Sequence, residues 1–414
     1  MKKTAIILLI LSFLFAITYF GCKTSAPADP RGEAYAGAAS CAKCHGNIYH
    51  TYLQTAHYLA AVPANGKTIH GNFSNNFNVF NVSPSQKIVM EKRGNVMFQT
   101  YYLNGKLKES HRFDIVLGGV KGESYLYWNG NGLNQLPISY YTKSHQWLMS
   151  PRYAPGSVDF SRIITRRCLE CHASYIGDQP DKPTGLNGDE QFDKSSLVYS
   201  VDCERCHGPG AQHVNFQTNN PKIKTAHFIT TFASLPRDRK IDLCAICHSG
   251  NKSEMIRSTF FFIPGDTYSK FKLPDFYSRV NDTSHLDVHG NQVQLLQSSK
   301  CFISSKMDCA TCHDTHQNQR GNTALYTQKC LGCHSAVNHN YCKMANTLNA
   351  GLIKSNCIQC HMPAFASRAI ITANMDKTTN ADIFVHTHHI AIYPDQVKKV
   401  LAMVGGQRAP VTTK

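Results

Sequence analysis

The stretch CERCHGPGAQH, residues 203–213, decides how this chain is read. Two cysteines spaced by two residues can form a redox disulfide, half of a zinc site or a covalent tether for a cofactor, because a thiolate pair serves all three. The discriminating residue is His207, which follows at once, and whether the rest of the chain repeats it.

The chain does repeat it. C-x-x-C-H occurs at Cys41, Cys44, His45; Cys168, Cys171, His172; Cys203, Cys206, His207; and Cys244, Cys247, His248. It returns at Cys309, Cys312, His313; Cys330, Cys333, His334; and Cys357, Cys360, His361. Seven pairs use 14 of the 17 cysteines, and each is followed by histidine. With 21 histidines in 414 residues, seven coincidences have odds on the order of one in a billion, so the histidine belongs to the motif. A zinc ribbon needs a second pair at a fixed distance and no adjacent histidine, and a thioredoxin-like motif occurs once beside a βαβ pattern. Attachment of c-type haem explains the histidine directly: two thioethers hold the porphyrin, and the next residue lies under the iron as its axial ligand. Seven covalent haems c are expected.

A chain of 414 residues would ordinarily build two or three domains on protein-only cores. Seven porphyrins would replace much of that core, in keeping with a hydrophobic content of 42%. The formal charge of +16 invites a nucleic-acid reading. Haem propionates remove that need: fourteen of them offset most of the charge, ferric centres restore part, and no aromatic-interleaved basic cluster is present.

Lys2 and Lys3 precede the apolar run AIILLILSFLFAITYF (5–20), then Gly21 and Cys22. This is the layout of an export signal over 1–21, and the run is shorter than the ~20 residues a membrane span needs. The Gly-Cys junction resembles a bacterial lipoprotein signal, with Cys22 acylated; Tyr19 and Phe20 depart from the usual residues. Plain cleavage and an uncleaved anchor are the alternatives. Residues 22–40 read as a flexible tether.

The first haem unit covers 41–74, with a helix expected through 48–61. A β-rich insert is assigned to 75–160, where no motif occurs. VMFQTYY (96–102) runs to Asn104-Gly105, a strong hairpin signal. Phe113, Ile115 and Leu117 alternate beyond it, and SYLYW (124–128) with NGNG (129–132) suggests a second hairpin. Haems 2–4 take 161–250, a connecting segment 251–300, and haems 5–7 with a tail 301–414. The expected fold is mainly α and irregular, packed around seven covalent haems, with a small antiparallel β-rich insert.

CAKCHGNIYHTYLQTAH (41–57), CERCHGPGAQH (203–213), MDCATCHDTH (307–316) and CIQCHMP (357–363) resemble the cytochrome c-554/c-prime group of multihaem cytochromes. The resemblance spans most of 37–390 and implies haems packed in parallel or perpendicular at close range. It also implies that His213, past the Gly-Pro-Gly turn, is a distal ligand.

Fourteen histidines outside the motifs could supply the sixth ligands of seven irons. Two axial ligands approach an iron from opposite sides. His316, three residues after His313, must therefore serve a neighbouring iron, and so must His57, twelve residues after His45. The distal candidates are His57, His213, His289, His316, His339, His386 and His388. His389 competes within HTHH, and His145 stays open. His50, His70, His111 and His227 read as surface or hydrogen-bonding residues. Cys301 and Cys342 are left over and in an oxidising compartment suggest a disulfide.

The leading function is electron carriage between a membrane donor, such as a redox protein or a quinol-linked complex, and a periplasmic or external acceptor. Anchoring would be by lipid on the exported side of a bacterial membrane or at the cell surface. One alternative is a reductase or oxidase of a small nitrogen or sulfur oxyanion at an open haem. Another is a structural subunit whose β module docks a larger complex. No nucleic-acid partner is expected.

Overall fold

The computed structural model describes residues 29–179, 190–250, 253–273, 286–335, 337, 338, 341–345, 348, 350–373 and 380–405. The leader 1–21, Cys22 and His339 lie outside the described residues.

Two antiparallel sheets form the β module. Strands β1 (Ala61–Pro63), β2 (Val79–Ser83), β3 (Gln86–Arg93), β4 (Val96–Leu103) and β5 (Lys106–Arg112) come first in the chain. They are followed by β6 (Ile115–Gly118), β7 (Glu123–Asn129), β8 (Gly132–Gln135), β9 (Ile138–Tyr141) and β10 (Gln146–Met149). β2-β3-β4-β5 is a four-stranded meander; the second sheet runs β1-β6-β7-β9-β10, with β8 on β7. The β4–β5 turn is Asn104-Gly105, at φ 51° and 75°. Both lie in the left-handed region that a two-residue hairpin turn of matching twist requires. Phe113–Leu117 is not the far side of that hairpin: β5 occupies that place, and β6 pairs with β1 and β7 in the other sheet. The chain changes sheet at Asp114, whose carboxylate accepts from Trp128 N (2.8 Å).

Alternate residues face inward, among them Phe80, Val82, Ile88 and Met90, and meet Tyr125, Leu136 and Ile138 of the second sheet. Gln99 is fully buried and stitches the two sheets. Its amide donates to Ile138 O (2.6 Å), and its oxygen accepts from Ile138 N (3.1 Å). Trp147 fills the centre, edge-on to Phe73 and Tyr140. A Cβ on Gly71 would lie 2.1 Å from the Trp147 ring. Gly71→Ala is therefore expected to cost about 1–3 kcal/mol through overpacking, read as a lower denaturation midpoint.

Outside the module the helices among the described residues are short, the longest being Arg237–His248 and Pro394–Gly405 at 12 residues each. Two further hairpins appear: β11 (Tyr175–Asp178) with β12 (Phe192–Val198), and β13 (Ala364–Ala373) with β14 (Asn380–His386). The mainly helical expectation thus needs correcting, because strands also follow the second and seventh motifs. β13–β14 reaches the module, where Arg152 N donates to Ile371 O (3.0 Å). The second motif joins it as well: Leu169, Ala173, Ile176 and Phe192 pack with Ile115, Leu126 and Leu133.

Two local expectations are revised. The helix placed at 48–61 ends at Tyr52, as Thr55 turns the chain by donating to Tyr52 O (2.7 Å) and accepting from Tyr58 N (3.2 Å). A 3-10 turn at Tyr58–Ala60 then leads into β1. From Asp29 onward the stretch assigned to a tether is packed against the third motif; the Arg31 side chain is 4% exposed among Asp29, Asp202 and Glu204.

Candidate haem-binding sites

Four motifs sit at the C-terminal ends of helices: Arg166–His172, Cys203–His207, Arg237–His248 and Ile358–His361. Helical spacing gives them their use. Cysteines three apart, and a histidine four after the first, fall on one face. The fifth motif instead opens on a 3-10 turn, Cys309–Thr311, capped by Asp308.

The structure brings motif histidines close to distant ones. His45 and His213 have ring centroids 6.4 Å apart at 15°, and His207 and His316 stand at 6.0 Å and 12°. His313 and His388 lie at 6.1 Å and 27°; His57 and His248 lie at 6.3 Å and 67°. His289 lies within electrostatic range of His172. With metal–nitrogen bonds of about 2 Å and ring nitrogens about 1.1 Å from their centroids, two imidazoles on opposite sides of one metal have centroids about 6 Å apart. All four pairs match that spacing. His316 therefore faces His207 rather than His313, and His57 faces His248 rather than His45.

Hydrogen bonds orient these rings. Nδ1 of His207 contacts Thr230 O (2.9 Å), that of His213 His227 O (2.8 Å) and that of His361 Ala391 O (2.9 Å). His172 reaches Ala60 O (3.2 Å) and His386 reaches Met362 O (2.6 Å). A carbonyl only accepts, so Nδ1 carries the proton and Nε2 keeps the lone pair a metal needs. Burial lowers the pKa of His57, His289, His313 and His316, and brings His248 and His388 down to about 4, which holds these rings neutral.

The motif cysteines also meet one another. Cys41 and Cys203, Cys171 and Cys247, Cys244 and Cys309, and Cys330 and Cys357 pair as thiol donor and acceptor. The donor from Cys247 holds Cys171 down to about 6. Cys206 lies within electrostatic range of Cys244, and Cys312 of Cys330. The motifs thus form a file running first, third, fourth, fifth, sixth, seventh, with the second beside the fourth. Among the described residues no group of three or more His, Cys, Asp or Glu side chains is placed to hold a metal ion by itself. The cysteine pairs do not converge as a zinc site requires.

The remaining candidates sort as follows. His70 binds Glu123 and His111 binds Glu109, while the His227 carbonyl orients His213. His145 sits at φ 54° near Tyr140 Oη, and His389 contacts Tyr393 Oη. The structure carries Cys301 and Cys342, like the motif cysteines, as free thiols. Cys301 lies within electrostatic range of Cys333 and Cys342 within that of Cys360. The carbonyls of Ala60, Thr230 and Ala391 were not foreseen, since a backbone acceptor leaves no mark in the residue type. Glu204 and Arg205 inside CERCH did carry a signal, being charged residues within an attachment motif; both are buried.

Residues 145–208 match the family model for cytochrome c554 and c-prime, a span that contains the second and third motifs. No curated protein matches the chain. Among solved structures, the chain is similar to the outer cell wall cytochrome OcwA. The TM-score is 0.51 at 16% identity, covering 88% of this chain and 81% of that one. That likeness is one of fold. Among the described residues no helix is long and apolar enough to cross a membrane.

Proposed function

We propose that this multihaem c-type cytochrome carries electrons along a file of seven covalently bound haems, outside the cytoplasm and held to a membrane or cell surface by a lipid on Cys22. The observation that carries the reading is the set of four histidine ring pairs at 6.0–6.4 Å, each joining a motif histidine to one from elsewhere in the chain. When bound, haem supplies one-electron chemistry at its iron. The chain's own residues hold and tune it. Paired cysteines would tether the ring edge, the paired imidazoles would hold the metal between them, and backbone carbonyls orient those of His207 and His213.

His213, His316, His57 and His388 are the proposed distal partners of His45, His207, His248 and His313, and His289 that of His172. His339 and His386 are left for the positions of His334 and His361. Two imidazoles at each haem would hold the iron from both sides, which suits a carrier and would leave no place for substrate. A cell-wall cytochrome of the same fold supports an exported site of action. The partners are redox proteins or quinol-linked membrane donors.

Mass spectrometry of the denatured chain tests occupancy: seven haem masses are expected on the polypeptide, and six or fewer contradict the count. Cys203→Ser should leave the third haem on one thioether or lose it. Cys22→Ser should move the protein from the membrane to the soluble exported fraction, whereas retention on the membrane would point to an uncleaved span through 5–20.

A further inference from the structure

Glu204 occupies the second position of CERCH, where nothing in haem attachment calls for an acid. Its side chain is 1% exposed, and all its acceptor capacity is directed at two other elements. Oε1 accepts from Ala36 N (2.8 Å) and Gly210 N (2.8 Å). Oε2 accepts from Gly37 N (2.9 Å) and the Arg31 guanidinium (2.9 Å). Ala36 and Gly37 lead into the helix Ala38–Ala42, which carries Cys41 and delivers His45. Gly210 is the N-cap of the helix Ala211–Asn219, which carries His213. Ala211 N donates to Ala34 O (3.0 Å) and closes the same contact. The two histidines that face each other at 6.4 Å thus hang from one buried carboxylate.

We infer that Glu204 is the positioning residue of the first haem site: although it belongs to the third motif, it sets the approach of His45 and His213 across the first iron. This rests on the axial pairing proposed above. A carboxylate suits the task because it accepts several hydrogen bonds at once, and charge-assisted bonds are short and strong. Its charge is offset by Arg31, which it shares with Asp29 and Asp202, and by three backbone N–H donors, so burial is tolerated. The protein contacts of Glu204 are with Arg31 and with the backbone at the starts of two helices, so it acts through the helices it joins.

The experiment compares Glu204→Ala, Glu204→Asp, Glu204→Gln and His213→Ala in the fully loaded protein. Haem content is read by mass spectrometry, spin state by electron paramagnetic resonance, and order of residues 29–45 by hydrogen exchange. Glu204→Ala and Glu204→Asp are expected to keep every covalent haem and convert one low-spin haem to high-spin. That haem should match the one exposed by His213→Ala, and exchange in 29–45 should speed up. Asp is included because a carboxylate withdrawn by one methylene cannot reach both helices, which separates reach from charge. Glu204→Gln keeps the acceptor at Oε1 and should restore the low-spin state. If Glu204→Ala does not accumulate, the Asp and Gln pair decides the matter alone. Low-spin spectra unchanged in Glu204→Asp, beside a high-spin haem in His213→Ala, would overturn the role of Glu204 while leaving the pairing intact. No high-spin haem in His213→Ala would overturn the pairing and the role together.

Discussion

Replacing His316 by Ala is expected to open one iron, and that iron should be the one held by His207, not the one held by His313. The His316 ring lies 6.0 Å from His207 at 12°, whereas the ring that lies 6.1 Å from His313 is that of His388. His316 and His313 leave the chain three residues apart, and Asp314 holds the turn between them by accepting from His316 N (2.9 Å). Loss of the imidazole removes half of a strong axial field, so one haem should become high-spin and bind cyanide while the others remain low-spin. Adding His388→Ala should open a second, separate iron. A high-spin haem that disappears when His313 is also replaced, but not when His207 is, would contradict the assignment.

Arg31→Ala is expected to cost about 3–5 kcal/mol, the usual penalty for breaking a buried ion cluster by removing one partner. The guanidinium meets Asp29 (2.9 Å), Asp202 (2.8 Å) and Glu204 (2.9 Å), and all four side chains are 10% exposed or less. Its removal leaves three carboxylates without their shared cation, beside the first and third motifs. Hydrogen exchange or limited proteolysis of residues 29–45 would report the loss. The cluster also predicts acid sensitivity. Burial pushes the Asp29 carboxyl up, but the hydrogen bonds and charge of Arg31 outweigh it and leave it below its ordinary value of 3.8. That stabilisation is present above the ordinary value and is lost as pH falls through the lower folded one. In Arg31→Ala the same segment should loosen at higher pH than in the parent.

The chemistry of this chain is more legible in its sequence than its architecture. C-x-x-C-H carries its meaning in five consecutive residues, and the exclusion of His316 from the iron of His313 follows from a three-residue gap. The partners of His57 and His316 are different in kind. They depend on which remote motif folds alongside, and no local pattern in CHDTH points to His207. The Asn104-Gly105 hairpin was readable because two left-handed residues in a row have few alternatives. The division into two sheets was not, because Phe113, Ile115 and Leu117 continue the alternation while the backbone leaves one sheet for the other. The helix expected through 48–61 stops at Tyr52 because Thr55 satisfies the backbone in a turn, a competition that apolar periodicity does not register. The stretch 29–40 has the composition of a linker, and the burial of Arg31 against Glu204 in the third motif and Asp202 just before it reveals it as packed structure.

The most direct test of the central claim is the low-temperature electron paramagnetic resonance spectrum of the fully oxidised protein. Near-parallel imidazoles split the iron orbitals they overlap and give rhombic low-spin signals, while steeply crossed planes leave those orbitals nearly degenerate and give a strongly anisotropic one. The pairs at 12°, 15° and 27° should contribute rhombic signals, and His57–His248 at 67° an anisotropic one. High-spin intensity should be absent. A high-spin signal that shifts on adding nitrite or hydroxylamine would contradict the carrier and identify an iron open to substrate.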